Sequence, residues 1–205
     1  MIISPKVAIE QGWLTWNSSI TDIDKYIQPN ALDFDVASVA LLDDRSDAFL
    51  SESDKKLRRQ VPQTPIEHLE YGKVWRLLNG QVYDFSSNFH VKLPAGVAAR
   101  LIVRSTLNRS GIFLTSGLYD SGFNGHIAGA LRIFGGDFFL APNTRIGQIE
   151  FVRSEDSGKL YAGGYNHDAG THWTDPTTDT KRQLERAHDI PADHQGRPAG
   201  RQSFI

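Results

Sequence analysis

Residues 104–125, RSTLNRSGIFLTSGLYDSGFNG, carry side chains suited to chemistry on a phosphate ester. Arg104 and Arg109 supply forked cationic donors that match phosphate oxygens, and hydroxyl side chains follow the first of them. Asp120 is a candidate general base for a water molecule, because a carboxylate beside arginines stays ionised. From spacing alone, the alternative of a surface ion pair and a β-turn stays open.

Composition narrows the classes of function. The chain has 205 residues, the size of one domain, and its formal net charge of -2 gives no basic field for wrapping DNA or RNA. It contains no cysteine, which excludes thiolate catalysis and cysteine zinc sites. The N-terminus lacks the apolar core of a signal peptide, and no run of about 18 apolar residues indicates a membrane helix. We therefore expect a cytoplasmic protein that binds neither nucleic acid nor membrane.

The elements that must position these side chains are predicted to be strands. From Val74 onward, short apolar runs alternate with Gly, Pro and Asn at spacings of about 8 to 12 residues, which is typical of an all-β sandwich or barrel. Residues 32–36, LDFDV, alternate apolar and acidic side chains and predict a further strand. Near the N-terminus, Ser4 as cap, Pro5 at the first position and Gly12 as stop predict a short helix.

Two segments fall outside this pattern. Residues 43–70 are charged and contain two prolines, which predicts a surface excursion with a short helix around residues 51–59. We interpret its basic run KKLRR as a solvated face rather than a nucleic-acid site. After Gly163 the chain becomes polar and predicts a tail that is either disordered or ordered over a ligand, with a short helix at 181–188.

Four motifs in order resemble the superfamily of trimeric dUTPases and dCTP deaminases. IQPNALDF resembles the first motif of the deaminases, and LPAGVAARLIVRSTLNRSGIF resembles the stretch that leads into their second. TSGLYDSGFNGHI resembles the third motif, and APNTRIGQIEF resembles the fourth. YAGGYNHDAG lies where the deaminases have a tyrosine-rich segment, so the resemblance extends over residues 27–170.

The resemblance implies a distorted β jelly roll of the dUTPase-like β-clip type, with a short N-terminal helix and a polar C-terminal tail. It divides the chain into a nucleotide-binding domain over residues 1–170, with a surface insertion at 43–70, and a C-terminal tail or arm over 171–205. It further implies a homotrimer with active sites at the subunit interfaces. The implied substrate is a deoxynucleoside triphosphate, with Mg²⁺ bound mainly through the triphosphate.

The resemblance also implies roles for individual residues. Asp120 is the catalytic residue that activates water, Phe123 packs on the deoxyribose, and Asp33 acts near the metal through water. The residues expected to bind phosphate, including a second arginine found in deaminases, are Arg104, Ser105, Thr106, Arg109 and Gln148. The pyrimidine is expected to bind backbone groups of the third-motif hairpin, and the remaining substrate-binding residues are Thr115, Ser116, Gly117, Tyr119, Tyr161 and Tyr165.

Position 130 bears on which reaction the chain performs. Deamination at C4 of cytosine needs a carboxylate that moves protons, and the deaminases carry a glutamate eight residues after the turn glycine. Here the turn glycine is Gly122 and the matching residue is Ala130, while Glu150 lies in a different strand. Hydrolysis of dUTP to dUMP and pyrophosphate needs only one carboxylate base, donors to the phosphates and Mg²⁺. We therefore expect a pyrophosphatase of dUTPase type.

Two alternatives stay open. One is a dCTP deaminase, or a relative that acts on a modified pyrimidine nucleotide, and the other is a non-catalytic nucleotide-binding regulator. Side-chain identity does not determine which base is bound. The last residues, GRPAGRQSFI, loosely match the Gly-rich arm with which dUTPases cover their substrate, and Arg197, Arg201 and Phe204 are its candidate contacts.

Overall fold

The computed structural model describes residues 1–155 and 158–163. Its helices are α1 (Pro5–Glu10), a three-residue 3-10 helix (Ile23–Lys25) and α2 (Ser105–Arg109). Its strands are β1 (Ile2–Ile3), β2 (Leu14–Trp16), β3 (Leu32–Asp35), β4 (Ser38–Leu42), β5 (Phe49–Leu50), β6 (Lys55–Lys56), β7 (Gln60–Pro62), β8 (Ile66–His68), β9 (Gly72–Leu77), β10 (Val82–Lys92), β11 (Val97–Val103), β12 (Ile112–Leu114), β13 (Leu118–Tyr119), β14 (Asn124–Ile133), β15 (Phe138–Leu140) and β16 (Arg145–Arg153). None of the helices in this part of the chain is long and apolar enough to span a membrane.

Two antiparallel sheets form the body of the fold. The first has the order β1-β16-β11-β13, with β3 paired to the other half of β16. The second has the order β12-β14-β10-β4-β7, with β2 paired to β10. A three-stranded sheet, β15-β9-β8, and the hairpin β5-β6 complete it. The predicted all-β class and distorted jelly roll are confirmed, and the predicted C-terminal tail lies outside the described residues.

The core lies between the two large sheets. Phe34 of β3 and Phe85 of β10 stack across it, with ring centroids 5.8 Å apart and planes 7° from parallel. Two glycines make room for these rings: a side chain at Gly147 would overlap the Phe34 ring, and one at Gly129 would press on Phe85. Each buried phenylalanine contributes about 2–3 kcal/mol of burial free energy, so this pair fixes the spacing of the sheets.

The predicted N-terminal helix is confirmed as α1. Pro5 occupies its first turn, Ala8 is fully buried, and Gly12 follows the helix with a φ of 68° that favours glycine. Ser4 precedes the helix, but its hydroxyl makes no capping hydrogen bond. The Ser4 carbonyl instead accepts a 3.0 Å hydrogen bond from the Val7 amide.

The helix predicted around residues 51–59 is wrong, because this segment forms the hairpin β5-β6 and leads into β7. Three hydrogen bonds between Ser51 and Asp54 close the turn of the hairpin. The Ser51 amide and hydroxyl donate to the Asp54 carbonyl at 2.8 and 3.2 Å, and the Asp54 amide donates to the Ser51 hydroxyl at 3.0 Å. Arg59 then pairs with the buried Asp43 carboxylate, which holds β7 against β4. These side-chain contacts outweigh the weak helical propensity of so short a charged segment.

The strand predicted over residues 32–36 is confirmed as β3, and its two aspartates are both buried. Asp35 accepts hydrogen bonds from the Ser87 hydroxyl at 3.0 Å, the Asn88 amide at 3.1 Å and the Asn88 side chain at 2.7 Å. The register of β10 against β14 shifts at this point, between Ser86 and His90. Asp35 therefore satisfies the backbone and side-chain donors of a β-bulge inside the core.

Candidate active site

A cluster of side chains around Asp33 brings together residues from three of the four motifs. Asp33 is 1% exposed, and its carboxylate accepts a hydrogen bond from the Gln148 side chain at 2.9 Å. Asp33 and Gln148 face each other directly in the register of β3 and β16. Arg104, immediately after β11, places a guanidinium nitrogen 3.9 Å from the same carboxylate. The predicted residues Asp33, Arg104 and Gln148 thus lie at one site.

Arg145 is a member of this cluster that the sequence did not indicate. Its guanidinium lies 3.2 Å from the Asp33 carboxylate and donates a 2.6 Å hydrogen bond to the Lys25 carbonyl. Strand alternation would place residues 145 and 148 on opposite faces of β16. A register irregularity between Arg145 and Gly147 places Arg145 on the same carboxylate as Gln148. The motif containing Arg145 carried no sign of this bulge.

Helix α2 presents the hydroxyl residues of the second motif. Arg104 is extended and precedes the helix, and Ser105 and Thr106 form its exposed first turn. Leu107 is buried and anchors the helix, whereas Arg109 in the last turn is exposed. Helix α2 was not among the predicted elements, since five residues are too few to show a helical period. Ser105 and Thr106 therefore lie beside Arg104, as the phosphate-binding prediction requires.

Asp120 lies in a different place, at a tight turn after β13. The Phe123 amide donates to the Asp120 carbonyl at 3.0 Å, and Gly122 takes a φ of 88°. The Ser121 hydroxyl donates to the Val97 carbonyl at 3.0 Å, which fixes the turn to the beginning of β11. The Asp120 side chain is exposed and forms no ion pair with another described residue. It is accessible to water and to a substrate.

The ring of Phe123 lies in an aromatic cluster beside Asp120. Phe123 is 6% exposed, and its ring centroid is 4.6 Å from that of Tyr119 and 5.6 Å from that of Tyr161. The Tyr161 amide also donates to the Ser121 carbonyl at 2.8 Å. Gly122 permits this approach, because a Cβ there would lie 2.8 Å from the Leu160 Cβ. The predicted residues Phe123 and Tyr161 are thus brought to the Asp120 turn, and Tyr165 lies outside the described residues.

The segment from Thr115 to Tyr119 contacts β14 through one backbone hydrogen bond, from the Thr115 amide to the Ala130 carbonyl at 2.9 Å, and through two side-chain hydroxyls. The Thr115 hydroxyl donates to the Ala130 carbonyl and accepts from the Ala130 amide, both at 3.1 Å. The Tyr119 hydroxyl donates to the Ala128 carbonyl at 2.9 Å and accepts from the Ala128 amide at 3.0 Å. Burial raises the pKa of Tyr119, so this hydroxyl stays protonated at neutral pH.

The other predicted hairpin residues lie between these two. Ser116 is exposed, and the Gly117 carbonyl accepts a 3.0 Å hydrogen bond from the Leu101 amide. Leu118 and Tyr119 then pair with Arg100 and Ala99 as β13. The segment thus passes from the second sheet to the first.

The residues at the Asp120 turn lie far from Arg104 and the Asp33 cluster within one chain. Tyr119, which precedes Asp120, faces Ala99 near the beginning of β11, whereas Arg104 follows its end. Five residues of strand correspond to about 17 Å. A single nucleotide phosphate cannot contact both Asp120 and Arg104 of the same chain. The expectation that arginines flank the Asp120 carboxylate is therefore wrong for one isolated chain.

The side chains around Asp33 are suited to a metal ion only if that ion is held mainly by the phosphates of a bound nucleotide. Mg²⁺ prefers carboxylate, phosphate and water oxygens in an octahedron. The Asp33 carboxylate already accepts from Gln148 and lies between two arginines. No group of three or more His, Asp or Glu side chains suited to holding a metal occurs within residues 1–155 and 158–163. Most ligands of a bound Mg²⁺ would have to come from the substrate and water.

A carboxylate lies directly opposite the position that is Glu in deaminases. Ala130 of β14 faces Asp84 of β10, and directly opposed residues project from the same face of a sheet. Asp84 is 8% exposed and accepts a 2.7 Å hydrogen bond from the Gln60 side chain. Glu150 lies on β16, as expected, where it pairs with Arg100 at 2.5 Å. Asp84 was not singled out from the sequence, because strand pairing alone brings it beside residue 130.

Comparison with known families and proteins agrees with the motifs. The family model described as dCTP deaminase-like matches residues 6–154. A "Probable deoxyuridine 5'-triphosphate nucleotidohydrolase" of Methanopyrus kandleri is 32% identical over 145 residues, covering 70% of this chain and 89% of that protein. A protein of the same name from Methanosarcina barkeri is 30% identical over 150 residues, covering 72% of this chain and 84% of its own length.

Two further comparisons point to the deaminases. A "dCTP deaminase, dUMP-forming" of Beutenbergia cavernae is 30% identical over 154 residues, covering 69% of this chain and 74% of that protein. The crystal structure of 2'-deoxycytidine 5'-triphosphate deaminase from Agrobacterium tumefaciens superposes with a TM-score of 0.56 at 18% identity. That superposition covers 73% of this chain and 47% of the other, about half its length, and shows similarity of fold.

Proposed function

The chain belongs to the dCTP deaminase-like family, and from this membership we propose that it is a nucleotide hydrolase that converts dUTP to dUMP and pyrophosphate. The relatives named as probable dUTP nucleotidohydrolases, at about 30% identity over most of their length, support this activity. The observation that carries it is the cluster of Arg104 and Gln148 around the buried Asp33. We assign the nucleotide-binding domain to residues 1–170 and the tail or arm to 171–205, in a cytoplasmic protein.

The proposed reaction is attack of water on the α-phosphorus with pyrophosphate leaving. Asp120 accepts the proton of that water, and its exposed position suits the role. Arg104 and Gln148, with the hydroxyls of Ser105 and Thr106, hold the phosphate oxygens. A bound Mg²⁺ would neutralise charge on the triphosphate. Asp33 orients Gln148 and Arg104, because its buried carboxylate contacts both side chains.

We further propose that the working unit is a homotrimer with its sites between subunits. About 17 Å of strand separates the Asp120 turn from Arg104 within one chain, so one chain does not complete the site. A second copy placed against the first supplies the missing half, and a closed ring of copies gives every site both halves. The remaining predicted residues, Arg109 and Tyr165, are proposed substrate contacts in this assembly.

One experiment tests the reaction. The protein with Mg²⁺ is incubated separately with dUTP, dCTP, dTTP and dATP, and the products are resolved by chromatography. We expect dUMP and pyrophosphate from dUTP. Formation of dUTP from dCTP would replace the proposal by deamination. Tight nucleotide binding without any product would replace it by a regulatory role.

Deamination of dCTP, or of a modified pyrimidine nucleotide, is a second candidate, and the position of Asp84 favours it. In that reaction water adds to C4, the amine leaves as ammonia, and a carboxylate carries protons from water to the ring nitrogen and the amine. Asp84 provides a carboxylate across the strand pair from Ala130. The variant Asp84→Asn should then abolish ammonia release from dCTP while leaving dUTP hydrolysis in place. Ammonia release at the wild-type rate would reject Asp84 as the proton carrier.

A further inference from the structure

A break in strand pairing lies next to the Asp120 turn. Strand β12 pairs with β14 only as far as Leu114 opposite Leu131. The chain then leaves β14, and its next strand, β13, pairs with β11 of the other sheet. Beyond Leu131, the Thr115 amide still donates to the Ala130 carbonyl at 2.9 Å, but within the described residues no strand pairs with this edge of β14 at Ala128. Strand β10 pairs with the opposite edge. Backbone donors and acceptors on this edge require another partner.

Apart from the Thr115 amide, side-chain hydroxyls provide the partners of this edge. Thr115 satisfies the amide and the carbonyl of Ala130, and Tyr119 satisfies the amide and the carbonyl of Ala128. The tyrosine reaches Ala128 from a buried position, with 7% of its surface exposed. It spans the break between the strands with its ring and ends on two backbone groups. A single hydroxyl can do this because it both donates and accepts a hydrogen bond.

The amide and carbonyl of one residue form a donor beside an acceptor. The edge of a pyrimidine ring also presents a ring N–H or ring nitrogen beside a carbonyl or amine, so the two edges are complementary. The position agrees with this chemistry, since Asp120 follows Tyr119 and the Phe123 ring contacts the Tyr119 ring at 4.6 Å. A base bound to the Ala128 groups would thus lie where the side chain of the residue next to Asp120 now ends.

We propose that Tyr119 determines nucleotide affinity and base selectivity by occupying the Ala128 amide and carbonyl, so that a pyrimidine base binds these groups only after displacing the tyrosine hydroxyl. This inference rests on the proposed function for the identity of the ligand. The protein then has two states, one with the Tyr119 hydroxyl on Ala128 and one with it displaced. Nucleotide binds the displaced state, so its observed affinity falls in proportion to how rarely that state is populated. Removing the hydroxyl should therefore strengthen nucleotide binding.

The experiment compares Tyr119→Phe with wild type in the full-length protein. We expect the KM for the preferred nucleotide to fall at least threefold with kcat changed less than twofold. The ratio of kcat/KM for dUTP to that for dCTP should also change. Tyr83→Phe is the matched control, because the Tyr83 hydroxyl is also buried and accepts a 2.9 Å hydrogen bond from the Leu78 amide. That control should lose stability without a change in KM. An unchanged or raised KM in Tyr119→Phe overturns the inference.

A binding measurement separates failure of this inference from failure of the proposed reaction. The dissociation constant of an α,β-imido analogue of dUTP is measured by calorimetry for both proteins, without need of turnover. Tighter binding by Tyr119→Phe supports the inference even when no nucleotide is hydrolysed. Absence of binding by both proteins overturns it.

A second measurement uses the wild-type protein and so does not depend on the variant's folding. The protein is labelled with ¹⁵N-alanine, and the Ala128 amide is assigned by its loss in Ala128→Gly. Saturating analogue should shift that resonance. A resonance that stays in place also overturns the inference.

Discussion

Asp120 and Arg104 lie at opposite ends of the path along β11, with Ser121 bonded to the carbonyl of Val97 at its beginning and Arg104 directly after Val103 at its end. The strand between them is a rigid spacer, since β16 pairs with β11 along its whole length, from Val97 to Val103. The five residues from Ala99, which faces Tyr119, to Arg104 span about 17 Å, and no rotation of a side chain closes that gap. The candidate base and the candidate phosphate donor therefore act together only when they come from different chains.

Mixing two inactive variants tests this arrangement. Asp120→Asn and Arg104→Ala should each be inactive alone, because each lacks one half of every site. When the two variants are co-expressed at equal levels and assemble at random, about a quarter of wild-type activity should return. Each site needs Asp120 from one chain and Arg104 from its neighbour, and about half of the chains keep each residue. Activity of the purified co-expressed sample measures this directly. Recovery no greater than either single variant would show that both residues serve a site within one chain.

Replacing Asp120 alone tests its role as the base. Asp120→Asn keeps the size of the side chain but replaces one carboxylate oxygen by an amide group that cannot accept the proton of water, so we expect turnover to fall by at least about 100-fold. Chromatographic size should be unchanged. Asp137→Asn, at an exposed carboxylate bound to Arg76, is the matched control and should keep wild-type turnover. Activity retained in Asp120→Asn would assign the base to another residue.

The buried carboxylate of Asp35 should be important for stability. Asp35→Ala leaves the Ser87 hydroxyl, the Asn88 amide and the Asn88 side chain without their acceptor, which should cost about 3 kcal/mol of unfolding free energy. Urea denaturation measures this loss. Asp22→Ala, at an exposed carboxylate paired with Lys25, should change the unfolding midpoint little. Equal effects of the two variants would contradict the structural role of the bulge.

Asp43 should make stability fall in acid. Hydrogen bonds from Arg45 and Arg59 hold the pKa of the Asp43 carboxyl well below its ordinary value. A lowered folded-state pKa stabilises the protein fully above about pH 4, the unfolded pKa, and that stabilisation is lost as the pH falls further. Asp43→Asn should therefore be less stable than wild type near neutrality, and the difference should shrink below about pH 4. Urea midpoints between pH 2 and 7, at roughly unit steps, measure the difference, and a gap that is constant with pH would refute the assignment.

Removing the last ten residues tests the proposed arm. Residues 196–205 include Arg197, Arg201 and Phe204, and they lie outside the described part of the structure. If they cover the substrate, their deletion should raise KM or lower kcat without changing the thermal midpoint. Steady-state kinetics of the shortened protein measure both. Unchanged kinetics would exclude a role for these residues in the site.

The sequence predicted the fold from patterns that act locally, and it named residues that the structure brings together at Asp33. The apolar runs after Val74 predicted the strands, and the motif residues Arg104 and Gln148 both lie beside Asp33 in the structure. Arg145 was missed because a bulge in β16 reverses the face on which it lies. The separation of Asp120 from Arg104 was missed because it depends on which end of β11 each motif meets. Neither property is encoded in the spacing of residues along one segment.

Side-chain hydrogen bonds explain the other differences. The segment around residues 51–59 has helix-forming side chains, but Arg58 and Arg59 bind the loop that carries Ser46 and Asp43. A similar limit applies to Tyr119, whose type gave no sign that its hydroxyl would satisfy Ala128 across a gap in the sheet. Such contacts join distant parts of the chain and become visible only after the strands have their partners.

The cross-strand position of Asp84 also has an evolutionary consequence. A glutamate at position 130 would project from the same face as Asp84, and two like charges directly opposite each other destabilise a strand pair. A carboxylate at either position 84 or position 130 therefore costs the strand pair little stability, whereas carboxylates at both positions would destabilise it. Relatives that carry glutamate at the position of Ala130 should have an uncharged residue opposite it, so that the two positions vary together while their summed charge stays the same.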